Sequence, residues 1–285
     1  MTINKLLLFL HFCLLASCTN YGQLTFLAKL PGNLEENSGL AILDSTSVWT
    51  IEDGSNPDHI YQVDLKGRIL KEFKVKNARN EDWEDLASDP EGHVYIADLG
   101  NNSLDREKLV IYKLPDPRKE PGDKIDAEHI KLRYPTGKKG SSENGNKRHD
   151  SEAIFYREGY LYIITKDRAS PFTGEAFIYK IPAKKGSYVA SLVGTFTPCR
   201  VRGVCEVTAA DISPDGSRVV LLGYGTLWVF SGFSGDDFTS GKLQTINLGV
   251  TTQLESVGFL NDSTLLLSDE RLGGTGRNLY RYILR

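Results

Sequence analysis

Apolar residues along this chain fall into short runs of about four to eight positions, alternating or continuous, each ended by a turn signal. Ser38–Leu43 is followed by the turn Asp44-Ser45-Thr46, and Val48–Ile51 closes on Glu52-Asp53-Gly54. His59–Val63 and Ile69–Val75 complete a phrase of four predicted strands, with Lys66-Gly67 as the turn between them. The phrase returns as Asp85–Ser88, His93–Ala97, Leu109–Leu114 and His129–Tyr134, then as Glu152–Tyr156, Tyr160–Thr165, Ala176–Ile181 and Ser191–Phe196. A fourth copy is Thr208–Ile212, Arg218–Leu222, Thr226–Phe230 and Leu243–Leu248. The fifth has Ser256–Phe259, Thr264–Leu267 and Asn278–Ile283, and then the chain stops one strand short.

No helical spacing competes with this pattern. Copies of about fifty residues, each four strands long, specify an all-β chain folded as a β-propeller of five blades. The unassigned strand Leu24–Leu30, ended by Pro31-Gly32, fits the vacant place in the fifth blade. It would close the ring and leave no open edge between first and last blades. A ring of six blades is the alternative, should the longer second or third copy conceal further strands. The propeller would occupy residues 24–285 as one domain.

The first residues read differently. Lys5 precedes a mostly apolar run from Leu6 to Leu15, too short for a permanent membrane span but suited to a signal-peptide core. It ends in Leu15-Ala16-Ser17-Cys18, which resembles the lipobox of bacterial lipoproteins. That resemblance implies cleavage after residue 17, a lipid on Cys18, a tether through residue 23, and a place in the bacterial cell envelope. Thr19 after the cysteine favours the outer membrane. The lipid on Cys18 would make the membrane a partner.

Export agrees with the cysteines. Of four, Cys13 lies in the signal and Cys18 takes lipid, leaving Cys199 and Cys205 six apart around Gly203. In an oxidising compartment this pair predicts a local disulfide rather than a metal pair. A net charge of −3, with no basic stripe, excludes nucleic acid as the expected partner.

Candidate chemistry gathers where each blade begins. The first strand of a propeller blade lines the central channel, so the residues leading into it meet at one mouth. They are Glu36 or Ser38, Glu84 with Asp85, Asp150 with Glu152, Thr208, and Glu255. The ends of second strands add Asp53, Asp98, Asp167 and Asp269. Carboxylates so close repel one another unless they are protonated, paired or bridged by metal. Hard oxygen ligands from several loops suit Ca²⁺, with Glu84, Asp85, Glu152 and Glu255 as the expected ligands. Arg106, Lys166 and Arg271 would neutralise the cluster or hold an anion, Asn101 lies in the same mouth, and His149 beside Asp150 is the candidate general base. Asp44, Asp89, Asp215 and Asp262 are turn residues. The segment 136–150 is long, polar and basic; it reads as a surface loop, with a lid over an anionic ligand as the alternative.

Asp82-Trp83-Glu84-Asp85-Leu86-Ala87, Asp98-Leu99-Gly100-Asn101-Asn102 with Arg106, Glu36–Ala41 and Ser151-Glu152-Ala153 resemble secreted bacterial propellers grouped as the esterase-like-activity-of-phytase and SdiA-regulated families. The resemblance covers residues 34–167 and implies an exported propeller with acidic loops and calcium. Two functions follow: an envelope module that binds a small-molecule or protein ligand or serves as a scaffold, and a metal-dependent hydrolase of a phosphoester, ester or lactone. No nucleophile elbow, phosphate loop or zinc-protease motif accompanies the acids, which tilts the reading toward binding.

Overall fold

The protein, here a computed structural model, is described over residues 21–106, 108–135, 149–250 and 252–285, and among these residues twenty-two strands account for nearly all regular structure. The expected leader, Cys18 as the expected lipid attachment point, and most of the basic loop fall outside the described residues.

Strand β1 (Thr25–Lys29) is followed by the first blade: β2 (Asn37–Ala41), β3 (Ser47–Glu52), β4 (His59–Asp64) and β5 (Ile69–Lys76). The second has β6 (Trp83–Ser88), β7 (Val94–Asp98) and β8 (Leu109–Leu114), then, after β9 (Lys124–Asp126), β10 (Glu128–Arg133). The third runs β11 (Asp150–Arg157), β12 (Tyr160–Lys166), β13 (Ala176–Pro182), β14 (Gly186–Val189) and β15 (Ser191–Phe196). β16 (Ala209–Ile212), β17 (Arg218–Gly223), β18 (Thr226–Ser231) and β19 (Lys242–Asn247) form the fourth, and β20 (Leu254–Asn261), β21 (Thr264–Asp269) and β22 (Asn278–Ile283) the fifth.

The five sheets are the five blades, and β1 closes the last by pairing antiparallel with β22, Thr25 opposite Arg281 and Lys29 opposite Asn278. Two strands escaped the sequence pattern because each is short. β9 leaves the second copy to pair in parallel with β5, and β14 leaves the third to pair in parallel with β10. The long second and third copies therefore do hide strands. These thicken the outer edges of the preceding blades instead of building a sixth.

Packing follows from the blade stack. Inner strands β2, β3 and β7 are buried along their whole length because each meets a blade on both faces, whereas outer strands such as β5 alternate. The apolar core is accordingly five clusters, one between each pair of adjacent blades. Trp83 and Trp49, both fully buried, wedge the first blade against the second, and the Trp83 indole N–H donates to the Arg79 carbonyl at 3.0 Å. Burial of a ring this size contributes on the order of 4 kcal/mol. Cys199 and Cys205 are joined in the connection between β15 and β16.

Around the channel, side chains bridge the first strands of neighbouring blades. The Ser38 hydroxyl donates to the Glu84 carbonyl and the Thr208 hydroxyl to the Leu254 carbonyl, 2.7 Å away. Asp85 is the chief bridge. One of its oxygens accepts from Leu86 N at 2.8 Å, while the other accepts from Ile154 N at 2.9 Å and Ala210 N at 3.3 Å. This carboxylate ties blades two, three and four together. Asp85 was expected among the metal ligands; its oxygens are instead committed to backbone amides in the channel wall.

Candidate cation site at the channel mouth

A single backbone irregularity builds the mouth. Where the first strand of a blade pairs with the second, the register slips by one residue at Ser38/Leu40, Trp83/Asp85, Ser151/Ala153 and Leu254/Ser256. The extra residues are Gly39, Glu84, Glu152 and Glu255. A bulge re-aims the side chain it carries, and three of these four bulges carry glutamate. The fourth must be glycine: Gly39 has φ +64, and a Cβ there would lie 2.5 Å from Leu86 N. The fourth blade has no slip between β16 and β17, and its first-strand acid, Asp211, accepts from Phe259 N at 2.7 Å and does not line the cavity described next.

The glutamates line a cavity of about 250 Å³ with Asp53, Glu270, Tyr224 and Gln253. Lys166 and Arg168 supply its only cationic side chains among the described residues. Both are engaged. Lys166 Nζ lies 3.1 Å from Glu152 Oε2 and donates to the Tyr224 hydroxyl at 3.1 Å. Arg168 spans Asp150, Asn102 and Glu152, the last at 3.1 Å. Two acidic triads share Glu84, namely Glu84–Asp150–Glu152 and Asp53–Asp82–Glu84, each with ligand oxygens within 4.8 Å of one another. In the first, Lys166 and Arg168 pair with Asp150 and Glu152 and leave Glu84 unpaired. Among the described residues no ion pair reaches the second and no donor reaches the Glu84 carboxylate; the residue as a whole is 5% exposed.

Electrostatics mark the same place. Burial, then the neighbouring Asp53 and Asp150, pushes Asp82 up to about 6. Glu84 rises well above the usual carboxylate range through burial and repulsion from Glu152 and Asp53. Burial lifts Glu255 to about 7 and Glu270 to about 8, the latter also through repulsion from Glu255. Burial works against the charge of Lys166, but the Glu152 and Glu255 carboxylates outweigh it and raise its pKa. Glycines keep the space open. A Cβ on Gly100 would stand 2.1 Å from Glu84 Oε1 and 2.5 Å from Asp82 Oδ2, and one on Gly54 2.4 Å from Asp82 Oδ1.

Glu84, Glu152, Glu255, Asp53 and Lys166 are thus brought together, and Arg168, Asp82, Tyr224, Gln253 and Glu270 join them. Asp82 stands two residues before Glu84 in the motif, and the structure brings their carboxylate oxygens within 4.8 Å of each other and of Asp53. Other expected ligand-site residues serve the scaffold. Asp98 accepts from Asp82 N at 3.0 Å and pairs with Arg106 at 2.7 Å, so both are consumed in a corner of blade two. Asn101 donates its backbone N–H to Asp150 at 2.7 Å and accepts from Arg106 N at 2.9 Å. Asp269 accepts from Asn278 N, Tyr280 and Thr252 at 2.6–2.8 Å. Glu36 is exposed and accepts from Asn56 at 2.6 Å, and Arg271 pairs with Glu35 on the outer rim at 2.6 Å. His149 is buried, its ring stacked on Tyr134 at 4.1 Å, which removes it as a solvent-reachable base. A further triad, Asp89–Glu91–His93, is a turn: Asp89 accepts from His93 N, His93 Nδ1 and Tyr95 at 2.8–2.9 Å.

No protein-family model matches the chain, and no curated protein does. Among solved structures it is similar to the PQQ-bound aldose sugar dehydrogenase of Streptomyces coelicolor, at 14% identity over 92% of this chain and 98% of that one, with a TM-score of 0.53. A hypothetical selenium-binding protein from Sulfolobus tokodaii aligns at 13% identity over 84% and 73% of the two chains, with a TM-score of 0.44. The likeness to the first supports the propeller fold.

Proposed function

We propose that the protein is a ligand-binding propeller of the bacterial cell envelope, held to the membrane through lipid on Cys18, whose channel mouth binds Ca²⁺ at Asp53, Asp82 and Glu84. The observation that carries the cation is Glu84: a buried residue whose carboxylate has no donor, flanked by two more acids that form no ion pair among the described residues. Buried acids left unpaired destabilise a fold, and a divalent ion between them removes that cost. Ca²⁺ accepts irregular shells of oxygen ligands, as three carboxylates from two chain segments, the end of β3 and the start of β6, provide. Of the acids expected in the same shell, Glu152 reaches within 4.8 Å of Glu84 but is paired with Lys166, and Glu255 lines the wall beside Tyr224.

PQQ, which the Streptomyces protein binds, does not fit here. It is a planar polycarboxylate, whereas five acids line this cavity and both of its cations among the described residues are already paired. The hydrolase reading has lost His149 as its base.

Calorimetry on the purified protein tests the cation. Ca²⁺ is expected to bind with one-to-one stoichiometry and to raise the melting temperature, and Glu84→Gln should abolish both effects while the untreated variant melts no lower than the parent. Absence of binding heat and of any thermal shift with Ca²⁺ would defeat the proposal. Membrane fractionation of Cys18→Ser tests the anchor: if the variant still sediments with membranes, the lipid is not what holds it.

A further inference from the structure

The geometry points to a small neutral polyol, a molecule with vicinal hydroxyls, as the ligand of the mouth, bound so that its oxygens complete the coordination of the cation at Asp53, Asp82 and Glu84. This inference rests on the cation site proposed above and names what that site presents to solution.

Blade order divides the cavity. Asp53 and Glu84 come from the first and second blades, so the cation occupies one side. The other side, from the third to the fifth blade, is a continuous belt of hydrogen-bonding groups. Glu152 pairs with Lys166, Lys166 donates to the Tyr224 hydroxyl at 3.1 Å, and Tyr224, Gln253 and Glu255 line the wall together. Gln253 also donates to Glu270. Among the described residues no aliphatic side chain lines the cavity. A ligand that fills it must offer polar groups in every direction, and an apolar body has nothing to pack against.

Charge narrows the class. Anions meet a surplus of carboxylates and two cations already paired. An organic ammonium would want an open aromatic face, but the Tyr224 ring already faces Lys166 Nζ, 5.4 Å from its centroid. Hydroxyls both donate and accept, which suits a belt of carboxylate, amide, ammonium and phenol groups. Two adjacent hydroxyls can also chelate Ca²⁺, whose shell of about six to eight oxygens three carboxylates need not fill. The volume of about 250 Å³ falls short of the usual drug-sized pocket of about 300–1,000 Å³ and suits one sugar ring or cyclitol.

The test uses the purified full chain and two readouts, calorimetry for Ca²⁺ and ligand-detected NMR for glycerol, myo-inositol, glucose, mannose and putrescine. With Ca²⁺ present, at least one polyol should bind in about the millimolar range or tighter. That binding should vanish with EDTA and in Glu84→Gln. Tyr224→Phe, which removes a single hydroxyl from the belt, should weaken the polyol about three- to tenfold and leave the Ca²⁺ isotherm in place. If Ca²⁺ binds and every polyol is silent, the polyol inference falls and the cation site stands. If Ca²⁺ itself does not bind, the cation site falls and takes this inference with it. Polyol binding that survives EDTA, or putrescine binding that displaces Ca²⁺, would overturn the bridging arrangement directly.

Discussion

Replacing Asp85 with alanine would strip three buried backbone amides of their acceptor at once: Leu86 N, Ile154 N and Ala210 N, on the first strands of three different blades. The residue has no exposed surface, so water cannot substitute without opening the hub. Each buried donor left unmatched costs about 1–3 kcal/mol. Against this stands the relief of removing a buried acid, whose pKa is driven well above the ordinary range by burial although the three amides work to lower it. The net loss expected is about 3–6 kcal/mol, a large share of the roughly 5–15 kcal/mol that holds a domain folded. Asp85→Asn keeps the size and one acceptor oxygen but turns an NH₂ group toward backbone donors, and should cost about half as much. Urea unfolding with matched thermal melts reads both variants. Glu84→Gln is the control, because the neighbouring acid has no donor to lose and its neutral amide escapes the repulsion of Glu152 and Asp53. A loss below about 1 kcal/mol for Asp85→Ala, or a variant that folds normally yet loses Ca²⁺, would return Asp85 to the metal site and refute the assignment.

Two further outcomes are expected. Gly100→Ala places a methyl 2.1 Å from Glu84 Oε1 and 2.5 Å from Asp82 Oδ2, so it should weaken Ca²⁺ about tenfold or more, a change of about 1.4 kcal/mol; an unchanged Ca²⁺ isotherm would remove these oxygens from the site. Acids with raised folded-state pKa values contribute stability at low pH that is lost as pH climbs through those values. In EDTA the melting temperature should therefore fall from pH 5 to pH 9, through about 6 for Asp82, 7 for Glu255 and 8 for Glu270. Taken alone, the rise of Glu255 from 4.5 to about 7 corresponds to about 3 kcal/mol, and saturating Ca²⁺ should flatten the slope; a melting temperature that rises with pH in EDTA would contradict the clustering of these acids.

The blades were legible in the sequence because a propeller repeats one phrase, and the period of apolar runs and turn residues survives even where the residues differ. β9 and β14 were not, since three- and four-residue strands that cross to a neighbouring blade carry no alternation long enough to read. The mouth was legible in part. Equivalent positions of successive copies pointed to Glu84, Glu152 and Glu255, yet the same logic offered Asp98 and Asp269, which accept backbone amides at blade corners. Residue type does not separate the two kinds of acid; the number of donors facing each carboxylate does. Glu84 and Asp85 make the point most sharply. Adjacent in a strand, they should face opposite ways by simple alternation, but the bulge between Trp83 and Asp85 breaks that alternation. It leaves Asp85 among the amides of three blades and Glu84 in the cavity with none. One is a bond at the hub and the other an open ligand because a single extra residue sits in β6, and pairing register is a property of two strands that neither strand's sequence displays.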